Sequence, residues 1–332
     1  MQQLRGKYTL CVIQRRIQLK ICNIRLKSWN IVFFGSDDFS LGHLSELLNE
    51  RKNGVIKNIE VVTASSENIL YKFSSSKSIK VHLWPPDLKG NYDIGVVASF
   101  GKLIPEHLIN LFPLGIINVH PSILPRWRGP MPIVHALKNG DAVTGITIQK
   151  IKPKIFDVGD QIMKRTCEIG ENELLPALYK KLTKFGSECL VKVVRELPES
   201  LDNCVPLGND NATYAKKLNK SISTVRWSEL TGVEIFNLYR ALFGLNDLRT
   251  SWKGETVKIL CLSFNNSDEN FGPPGSLKFL PKCNVLLVNS IDKPVRICTV
   301  LFRAKVYGAH NFFRGFVQQY NTKEWSFDDG IS

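Results

Sequence analysis

The residues from Trp29 to about residue 205 alternate short apolar runs with helix-like stretches. The run Ile31 to Phe34 is closed by Gly35-Ser36-Asp37-Asp38 and followed by the helix-like stretch Leu41 to Leu48. A strand, a glycine turn and a capped helix make one βα unit. Further strands are predicted at 59–63, 93–99, 115–120 and 144–151, and further helices at 131–139 and 174–197. This alternation predicts an α/β fold with a doubly wound, mostly parallel sheet.

The pattern changes after about residue 205. In residues 206–222, Pro206, Gly208 and the run 209–211 of Asn and Asp precede a lysine-rich stretch, which predicts a basic linker. Beyond it, one helix at 231–243 precedes several short strands that are separated by turn residues. Such a pattern predicts that residues 223–332 form a small, OB-like β-barrel, the oligonucleotide-binding type of fold.

Residues 1–28 carry an uneven share of the positive charge. They hold seven basic and no acidic side chains, which is half of the formal net charge of +14 of the 332-residue chain. Apolar residues recur there at three- and four-residue steps and would form one stripe of a helix. A cationic amphipathic helix is typical of a mitochondrial presequence, so the mitochondrial matrix is the expected location. An ordinary basic tail or a nucleic-acid-binding arm is the alternative. The stripe consists of Leu10, Ile13, Ile17, Ile21 and Ile24.

Composition and spacing exclude several classes of protein. With 43% hydrophobic and 22% charged residues the chain has a globular composition. No apolar run approaches the roughly 18 residues of a membrane helix. The eight cysteines form no C-x-x-C pair, so neither a structural zinc site nor any other metal site is predicted. The turn at Gly35 lacks the glycine fingerprint of a dehydrogenase.

Asn118 and His120 lie two residues apart at the end of a predicted strand, so their side chains share one face of the sheet. In open α/β sheets, ligands bind outside the carboxyl ends of the strands. Pro121 and Pro125 restrict the loop that follows and remove two amide donors, which indicates a rigid wall. The segment therefore offers an amide donor, an imidazole and a preorganised loop.

These groups suit acyl transfer to an amine. The amide can donate to an oxygen that becomes negative, and a carboxylate beside the imidazole would hold its tautomer and stabilise its protonated form. The imidazole can take the proton that the amine loses on attack, since histidine titrates near neutrality. No nucleophilic Ser or Cys elbow accompanies the pair, so direct transfer is expected rather than a covalent intermediate.

Two longer segments carry a family resemblance. They read NVHPSILPRWRGPMPIVHALKNGDAVTGITI at 118–148 and IKPKIFDVGDQIM at 151–163. With VVASFGKLIPEHLI upstream and ATYAKKLNK downstream, they resemble the folate-dependent formyltransferases over about residues 29 to 320. The resemblance implies that 29–205 is the catalytic domain. It places the catalytic residues at Asn118, His120 and Asp157, with Asp160 as the competing carboxylate.

The resemblance also implies a co-substrate and an acceptor. The co-substrate is 10-formyltetrahydrofolate, and the acceptor is the α-amino group of an initiator methionyl-tRNA used in mitochondrial translation initiation. In the implied reaction this amine attacks the formyl carbon, Asn118 donates to the oxyanion, and His120, oriented by Asp157, accepts the proton. The implied folate wall is Ser122, Ile123, Leu124 and Pro125, with backbone contacts from Phe100, Gly101 and Leu103.

A tRNA substrate requires contacts to phosphates, which dominate the affinity. The loop at 65–77, which is a basic insertion in bacterial relatives, carries only two lysines and one acid here. The stretch 150–154 is more basic than in bacterial versions. An aromatic side chain at the mouth of the site could stack on a terminal base. The tRNA-binding candidates are Arg126, Trp127, Arg128, Lys150, Lys152, Lys154, Lys216, Lys217 and Lys220.

Two alternatives stay open at this point. The first is a formyltransferase that acts on a small amine or an amino sugar, although such an acceptor needs neither a barrel nor a basic linker. The second is a tRNA-binding module with an inactive centre, against which the presence of Asn118, His120 and Asp157 argues. A monomer is expected.

Overall fold

The structure is a computed structural model that describes residues 28–264, 270–320 and 325–329. The predicted presequence lies outside these ranges, apart from residue 28. Chain contacts divide the protein into two compact units. Of the described residues, the first contains 28–119, 150–154 and 187–204, and the second contains 120–149, 155–186 and those from Val205 onward. The domain boundaries near 205 and 222 stay a prediction.

The first unit contains a parallel sheet. Its strands follow the order β3-β2-β1-β4-β5, and every neighbouring pair is parallel. The predicted alternation of strands and helices is therefore confirmed. The last residue of β5, His120, begins the second unit. The elements are β1 (Trp29–Phe34), α1 (Asp38–Lys52), β2 (Ile56–Thr63), α2 (Ile69–Ser76), β3 (Val81–Leu83), β4 (Ile94–Ala98), α3 (Glu106–Ile109) and β5 (Ile116–His120).

The central strands are apolar because both of their faces are covered. Val32 and Phe34 of β1, Val62 of β2 and Ile116 of β5 belong to one buried cluster, in which the ring of Phe34 lies 5.6 Å from that of Phe100. The strand order reverses direction between β1 and β4, which is where open sheets bind ligands beyond the carboxyl ends of their strands.

The turn after β1 is a helix cap. Asp37 accepts a hydrogen bond from the amide of Ser40, whose hydroxyl group accepts from the amide of Asp37, so α1 begins with a capping box. The second carboxylate oxygen of Asp37 accepts from the Ser99 hydroxyl group at the end of β4. Burial raises the pKa of the Asp37 carboxyl above its ordinary value. Gly35 is required because a Cβ there would lie 2.5 Å from the Cβ of Ser40.

Most of the remaining elements lie in the second unit, but the short helix Glu199–Asp202 lies in the first. Two strands of the second unit, β6 and β7, form an antiparallel pair, and α5 continues from this unit into the first at residue 187. Within the described ranges, none of the helices combines the length and hydropathy needed to cross a membrane. The elements along this part of the chain are α4 (Pro132–Lys138), β6 (Val143–Lys150), β7 (Gln161–Glu168), α5 (Leu175–Arg195), α6 (Glu199–Asp202) and α7 (Gly232–Leu242).

The second unit also holds an antiparallel sheet, as the short strands near the C-terminus predict. Its order is β10-β11-β12-β9-β8, and β13 pairs with β12. The elements are β8 (Leu248–Trp252), β9 (Glu255–Ser263), β10 (Leu277–Leu280), β11 (Val285–Val288), β12 (Val295–Phe302), β13 (Lys305–Gly308) and α8 (Ala309–Phe312).

Helix α7 connects this sheet to the segments around the site. It packs against α4, and its buried Arg240 donates hydrogen bonds to the carbonyl oxygen of Gly170 at 3.1 Å and to Asn237 at 2.6 Å. Burial lowers the pKa of the Arg240 guanidinium. The helix before the sheet is therefore tied to the chain that follows β7.

We predict that His43 makes the first unit sensitive to acid. It is fully buried on α1, its Nδ1 donates to the carbonyl oxygen of Phe39 at 2.7 Å, and burial lowers its pKa from 6.5 to about 4. Between pH 6.5 and 4, His43 binds a proton in the unfolded chain but not in the folded chain. Its contribution to the free energy of unfolding is therefore fully present above pH 6.5 and is lost as the pH falls toward 4. The expected loss in the free energy of unfolding is about 3 kcal/mol.

Urea unfolding of wild type and His43→Leu at several pH values tests this. The variant should lose most of the pH dependence between 6.5 and 4. His107→Leu, at an exposed position, is the matched control and should keep it. An unchanged pH dependence in His43→Leu would show that other groups cause the acid sensitivity.

Candidate active site

Asn118 and His120 both lie on β5, two residues apart, so their side chains leave the strand on the same side. Asn118 pairs in register with Val97 of β4 and is partly exposed. His120 is buried, with 5% of its surface exposed. The strand end therefore presents an amide and an imidazole, as the sequence predicts.

The imidazole of His120 lies between two acceptors. Its Nε2 is 2.9 Å from the carbonyl oxygen of Trp127, and its Nδ1 is 3.4 Å from Oδ1 of Asp157. Because a carbonyl oxygen can only accept, Nε2 carries a proton and donates it to Trp127. The other ring nitrogen, Nδ1, faces the carboxylate.

Asp157 is held by two donors. The amide of Gly129 donates to its Oδ2 at 2.9 Å, and Nε2 of Gln149 donates to its Oδ1 at 3.1 Å. Its backbone has a φ of 55°, in the left-handed region that non-glycine residues rarely adopt. Strained residues of this kind persist where the surroundings fix them, often at functional sites. This geometry favours Asp157 over Asp160 as the carboxylate that orients His120.

The loop predicted to form the folate wall is fixed by hydrogen bonds. Thr147 of β6 donates from its hydroxyl to the carbonyl oxygen of Ser122 at 2.7 Å and accepts from the amide of Leu124 at 3.1 Å. Leu124 is fully buried. Gly145 lets this loop approach β6, because a Cβ there would lie 2.5 Å from Cδ1 of Ile123. The last residue of the predicted wall, Pro125, is half-buried.

The other predicted folate contacts lie in the first unit. Phe100 is buried against Phe34, Gly101 has a φ of 69°, and Leu103 is 42% exposed. They follow the carboxyl end of β4, where the predicted crevice of an open sheet lies.

Trp127 and Arg126 share one carboxylate. The indole Nε1 donates to Oδ2 of Asp141 at 2.7 Å, and Nε of Arg126 donates to the same oxygen at 2.8 Å. The guanidinium of Arg126 also stacks 4.3 Å from the centre of the indole ring. Trp127 is only 7% exposed, so its ring is part of the packed interior. That either residue contacts tRNA stays a prediction.

Arg128 is buried against the segment predicted to be a linker. It donates to Oδ1 of Asn209 at 3.0 Å and to the carbonyl oxygen of Gly208 at 3.2 Å. The backbone continues this contact, since the amide of Ala215 donates to the carbonyl oxygen of Arg128 at 2.7 Å. These contacts favour a role for Arg128 in positioning residues 205–217, and its predicted tRNA contact stays a prediction.

The predicted lysines differ in exposure. Lys150 is half-buried, and the side chain of Lys220 lies outside the described part of the chain. Lys152, Lys154, Lys216 and Lys217 are exposed. These four lysines are therefore accessible to the phosphate groups of an RNA in solution.

Comparison with known proteins identifies the family. Residues 49–194 match the formyl transferase family. The human mitochondrial methionyl-tRNA formyltransferase is 37% identical over 310 residues, which cover 89% of this chain and 79% of the human protein. The methionyl-tRNA formyltransferase of Buchnera aphidicola is 36% identical over 219 residues, covering 61% of this chain and 67% of that protein. The chain belongs to the methionyl-tRNA formyltransferases.

Solved structures share the fold at lower identity. An N-formyltransferase from Helicobacter canadensis, solved with folinic acid and dTDP-3-aminofucose, matches with a TM-score of 0.63 at 17% identity, covering 81% of this chain and 98% of its own. HypX from Aquifex aeolicus in complex with tetrahydrofolic acid matches with a TM-score of 0.58 at 16% identity, covering 92% of this chain and 49% of its own. At these identities the comparison shows the fold alone.

The sequence patterns do not reveal the groups that hold the catalytic candidates. Gln149 and the amide of Gly129 hold Asp157, and the carbonyl oxygen of Trp127 holds His120. A signal for Gln149 was present, since it is the one polar amide side chain in the apolar strand TGITIQKI. Among the described residues, no group of three or more His, Cys, Asp or Glu residues could hold a metal ion.

Proposed function

We propose that this protein transfers the formyl group of 10-formyltetrahydrofolate to the α-amino group of initiator methionyl-tRNA, in the mitochondrial matrix and as a monomer. The observation that carries the proposal is the imidazole of His120 between Asp157 and the carbonyl oxygen of Trp127. The mitochondrial methionyl-tRNA formyltransferases to which the chain is similar support the acceptor and the location. Structural relatives solved with reduced folates support the co-substrate.

The proposed reaction is a direct transfer. The methionyl nitrogen attacks the formyl carbon, so that a C–N bond forms and the carbonyl oxygen becomes negative. The side-chain amide of Asn118 donates a hydrogen bond to this oxygen. When the intermediate collapses, the bond between the formyl carbon and N10 of the folate breaks. N10 receives the proton that the attacking amine lost, so atoms and charge balance.

His120 accepts that proton at Nδ1. Nε2 already donates to the carbonyl oxygen of Trp127, which leaves Nδ1 as the nitrogen with a lone pair. The imidazolium that forms lies 3.4 Å from the Asp157 carboxylate, which stabilises its positive charge. Both oxygens of Asp157 accept hydrogen bonds, from Gly129 and from Gln149, and these keep the carboxylate beside the imidazole.

A small amine or an amino sugar is the second candidate acceptor. The Helicobacter canadensis protein was solved with dTDP-3-aminofucose, but it shares only 17% identity with this chain. The human methionyl-tRNA formyltransferase shares 37%, which favours tRNA. An inactive tRNA-binding module is disfavoured because Asp157 lies in contact with His120.

A formyl-transfer assay decides between these candidates. Purified protein is given 10-formyltetrahydrofolate with charged initiator tRNA, charged elongator tRNA, or an amino sugar nucleotide. The proposal expects formylmethionyl-tRNA with initiator tRNA and much slower transfer to the other two acceptors. Transfer to the amino sugar alone, or no transfer to any acceptor, would contradict it.

The second sheet is proposed to close into an OB-like barrel. Residues 325–328 support this, because they connect the two edge strands: the amide of Leu277 in β10 donates to the carbonyl oxygen of Trp325, and the amide of Asp328 donates to that of Ser251 in β8. A barrel of this kind presents a surface suited to nucleic acid.

Exposed lysines near the site are proposed to bind tRNA phosphates. Lys152 and Lys154 directly precede the Asp157 loop. Lys216 and Lys217 follow Ala215, whose amide contacts Arg128 beside the site. Arg126 is exposed in the loop that also contains Arg128, although its guanidinium group is paired with Asp141. These cations would neutralise the acceptor stem close to the reacting amine.

We predict that Asp157→Asn lowers kcat by about 10²-fold or more with little change in tRNA affinity. The amide keeps the size of the side chain but removes the charge that stabilises protonated His120. Steady-state kinetics and a separate tRNA-binding titration measure the two effects. Asp160→Asn is the matched comparison and should lose less activity. Near-normal turnover of Asp157→Asn would refute its assignment.

We predict that reversing the charge of Lys216, Lys217 and Lys220 to Glu weakens tRNA binding. Each phosphate contact contributes about 0.9 to the slope of log affinity against log salt, so the slope should fall by roughly 2 to 3. Binding is measured at several salt concentrations. The matched control reverses three exposed cations in the first unit, Arg51, Lys52 and Lys57, and should keep the slope. Equal slopes in both variants would remove the linker lysines from the tRNA-binding surface.

A further inference from the structure

We propose that Asp141 is a positioning residue for formyl transfer: it holds the turn at Trp127, whose carbonyl oxygen keeps the proton on Nε2 of His120. Asp141 does not contact the reacting atoms in this account, because it acts through Trp127. The inference deepens the proposed function and rests on it for the reaction. The hydrogen bonds that it uses are properties of the folded protein alone.

The first step concerns the backbone of Trp127. Its φ of 62° lies in the left-handed region, which is unfavourable for a bulky residue. This conformation aims the carbonyl oxygen at Nε2 of His120, 2.9 Å away. A strained turn of this kind persists where its surroundings hold it, and the contacts of the indole ring are among those that fix where the carbonyl points.

The second step concerns the indole ring. Its Nε1 donates to Asp141 at 2.7 Å, and Arg126, which pairs with both oxygens of the same carboxylate, stacks on the ring. The Asp141 side chain is only 10% exposed, so the charge-assisted hydrogen bond is shielded from water. The Asp141 carboxylate therefore fixes the indole ring in two ways. It accepts the hydrogen bond of the indole N–H group, and it holds Arg126 against the face of the ring.

The third step concerns the other contacts of Trp127. Its amide donates to the hydroxyl group of Thr213 at 2.9 Å, and the ring of His135 lies 5.3 Å from the indole. Neither contact satisfies the indole N–H. Removing Asp141 would leave this buried donor unpaired, which is unfavourable and is relieved if the turn relaxes. The loop would stay folded through Thr213, but its carbonyl oxygen would lose its fixed direction.

The consequence falls on the tautomer of His120. Without an acceptor at Nε2, the neutral ring can carry its proton on Nδ1 and donate it to Asp157. That tautomer has no lone pair at the position where the amine proton is accepted. Wrong-tautomer states lower the turnover of folded enzymes and leave substrate binding intact. Loss of Asp141 should therefore lower kcat more than it raises KM for the tRNA.

The experiment compares Asp141→Ala, Trp127→Phe and the double variant. Trp127→Phe removes the indole N–H and keeps an aromatic ring. Each single variant should lower kcat about 10- to 100-fold, with KM for methionyl-tRNA within about threefold of wild type. The double variant should be little worse than either single one, because both changes break the same hydrogen bond. Nitrogen NMR of the His120 ring, recorded without substrate, should show the Nε2 proton reduced in every variant.

Two further variants provide the rescue and the control. Asp141→Asn keeps an oxygen that can accept from the indole, so it should retain more activity than Asp141→Ala. Asp247→Ala removes an exposed carboxylate that pairs with Lys258 at 3.3 Å in the same unit, and it should leave kcat and the His120 spectrum unchanged. Thermal unfolding of each variant checks that it folds. If Asp141→Ala does not fold, Trp127→Phe and Asp141→Asn carry the same test.

Wild-type kcat in Asp141→Ala, or a lower kcat with an unchanged His120 spectrum, would overturn the positioning role. So would equal losses in Asp141→Asn and Asp141→Ala. Failure of the proposed function is distinguishable, because it would appear as an inactive wild-type protein. The nitrogen spectra would still report whether Asp141 controls the tautomer.

Discussion

Each ring nitrogen of His120 contacts an acceptor, and the other contacts described in the site fix the positions of those two acceptors. On one side, the carbonyl oxygen of Trp127 accepts from Nε2, and on the other the carboxylate of Asp157 faces Nδ1. Both residues have left-handed backbone conformations, so neither contact would form from local preference alone. Gly129 and Gln149 hold the carboxylate, and Asp141 holds the indole. In the proposed mechanism, this arrangement gives His120 a defined nitrogen at which to accept a proton.

The C-terminal half of the chain contributes to this site through both backbone and side-chain groups of residues 205–217. Residues 205–217 lie along the loop after His120: Gly208 and Asn209 accept from buried Arg128, and Thr213 accepts from the amide of Trp127. His135 of α4 hydrogen-bonds to the carbonyl oxygen of Lys216. The exposed lysines of this stretch, Lys216 and Lys217, are therefore held beside the loop that follows His120. In the proposed function, the lysines that bind tRNA and the loop that contacts His120 are therefore joined by hydrogen bonds.

Sequence patterns predicted the parts of this account that depend on local periodicity. The strand that ends at Asn118 and His120 follows from an apolar run and two prolines, and Asp157 came from the family resemblance. The hydrogen bonds that position Trp127 and Asp157 could not be predicted from the sequence. Asp141 lies 14 residues from Trp127, and Gln149 lies 8 residues from Asp157, so only the tertiary fold brings each pair together. Trp127 and Arg128 looked like surface groups for RNA but are buried. Strand β7 is not predicted from the sequence, because its residues are polar and half-exposed and do not form an apolar run.

The most direct test of the central claim is chemical rescue of His120→Gly in the formyl-transfer assay. If His120 accepts the amine proton, this variant should lose about 10²- to 10⁴-fold in rate. Added imidazole, which can occupy the space left by the side chain, should restore part of the rate, and substituted imidazoles should do so in the order of their basicity. A His120→Gly variant that turns over within about threefold of wild type without imidazole would contradict the account.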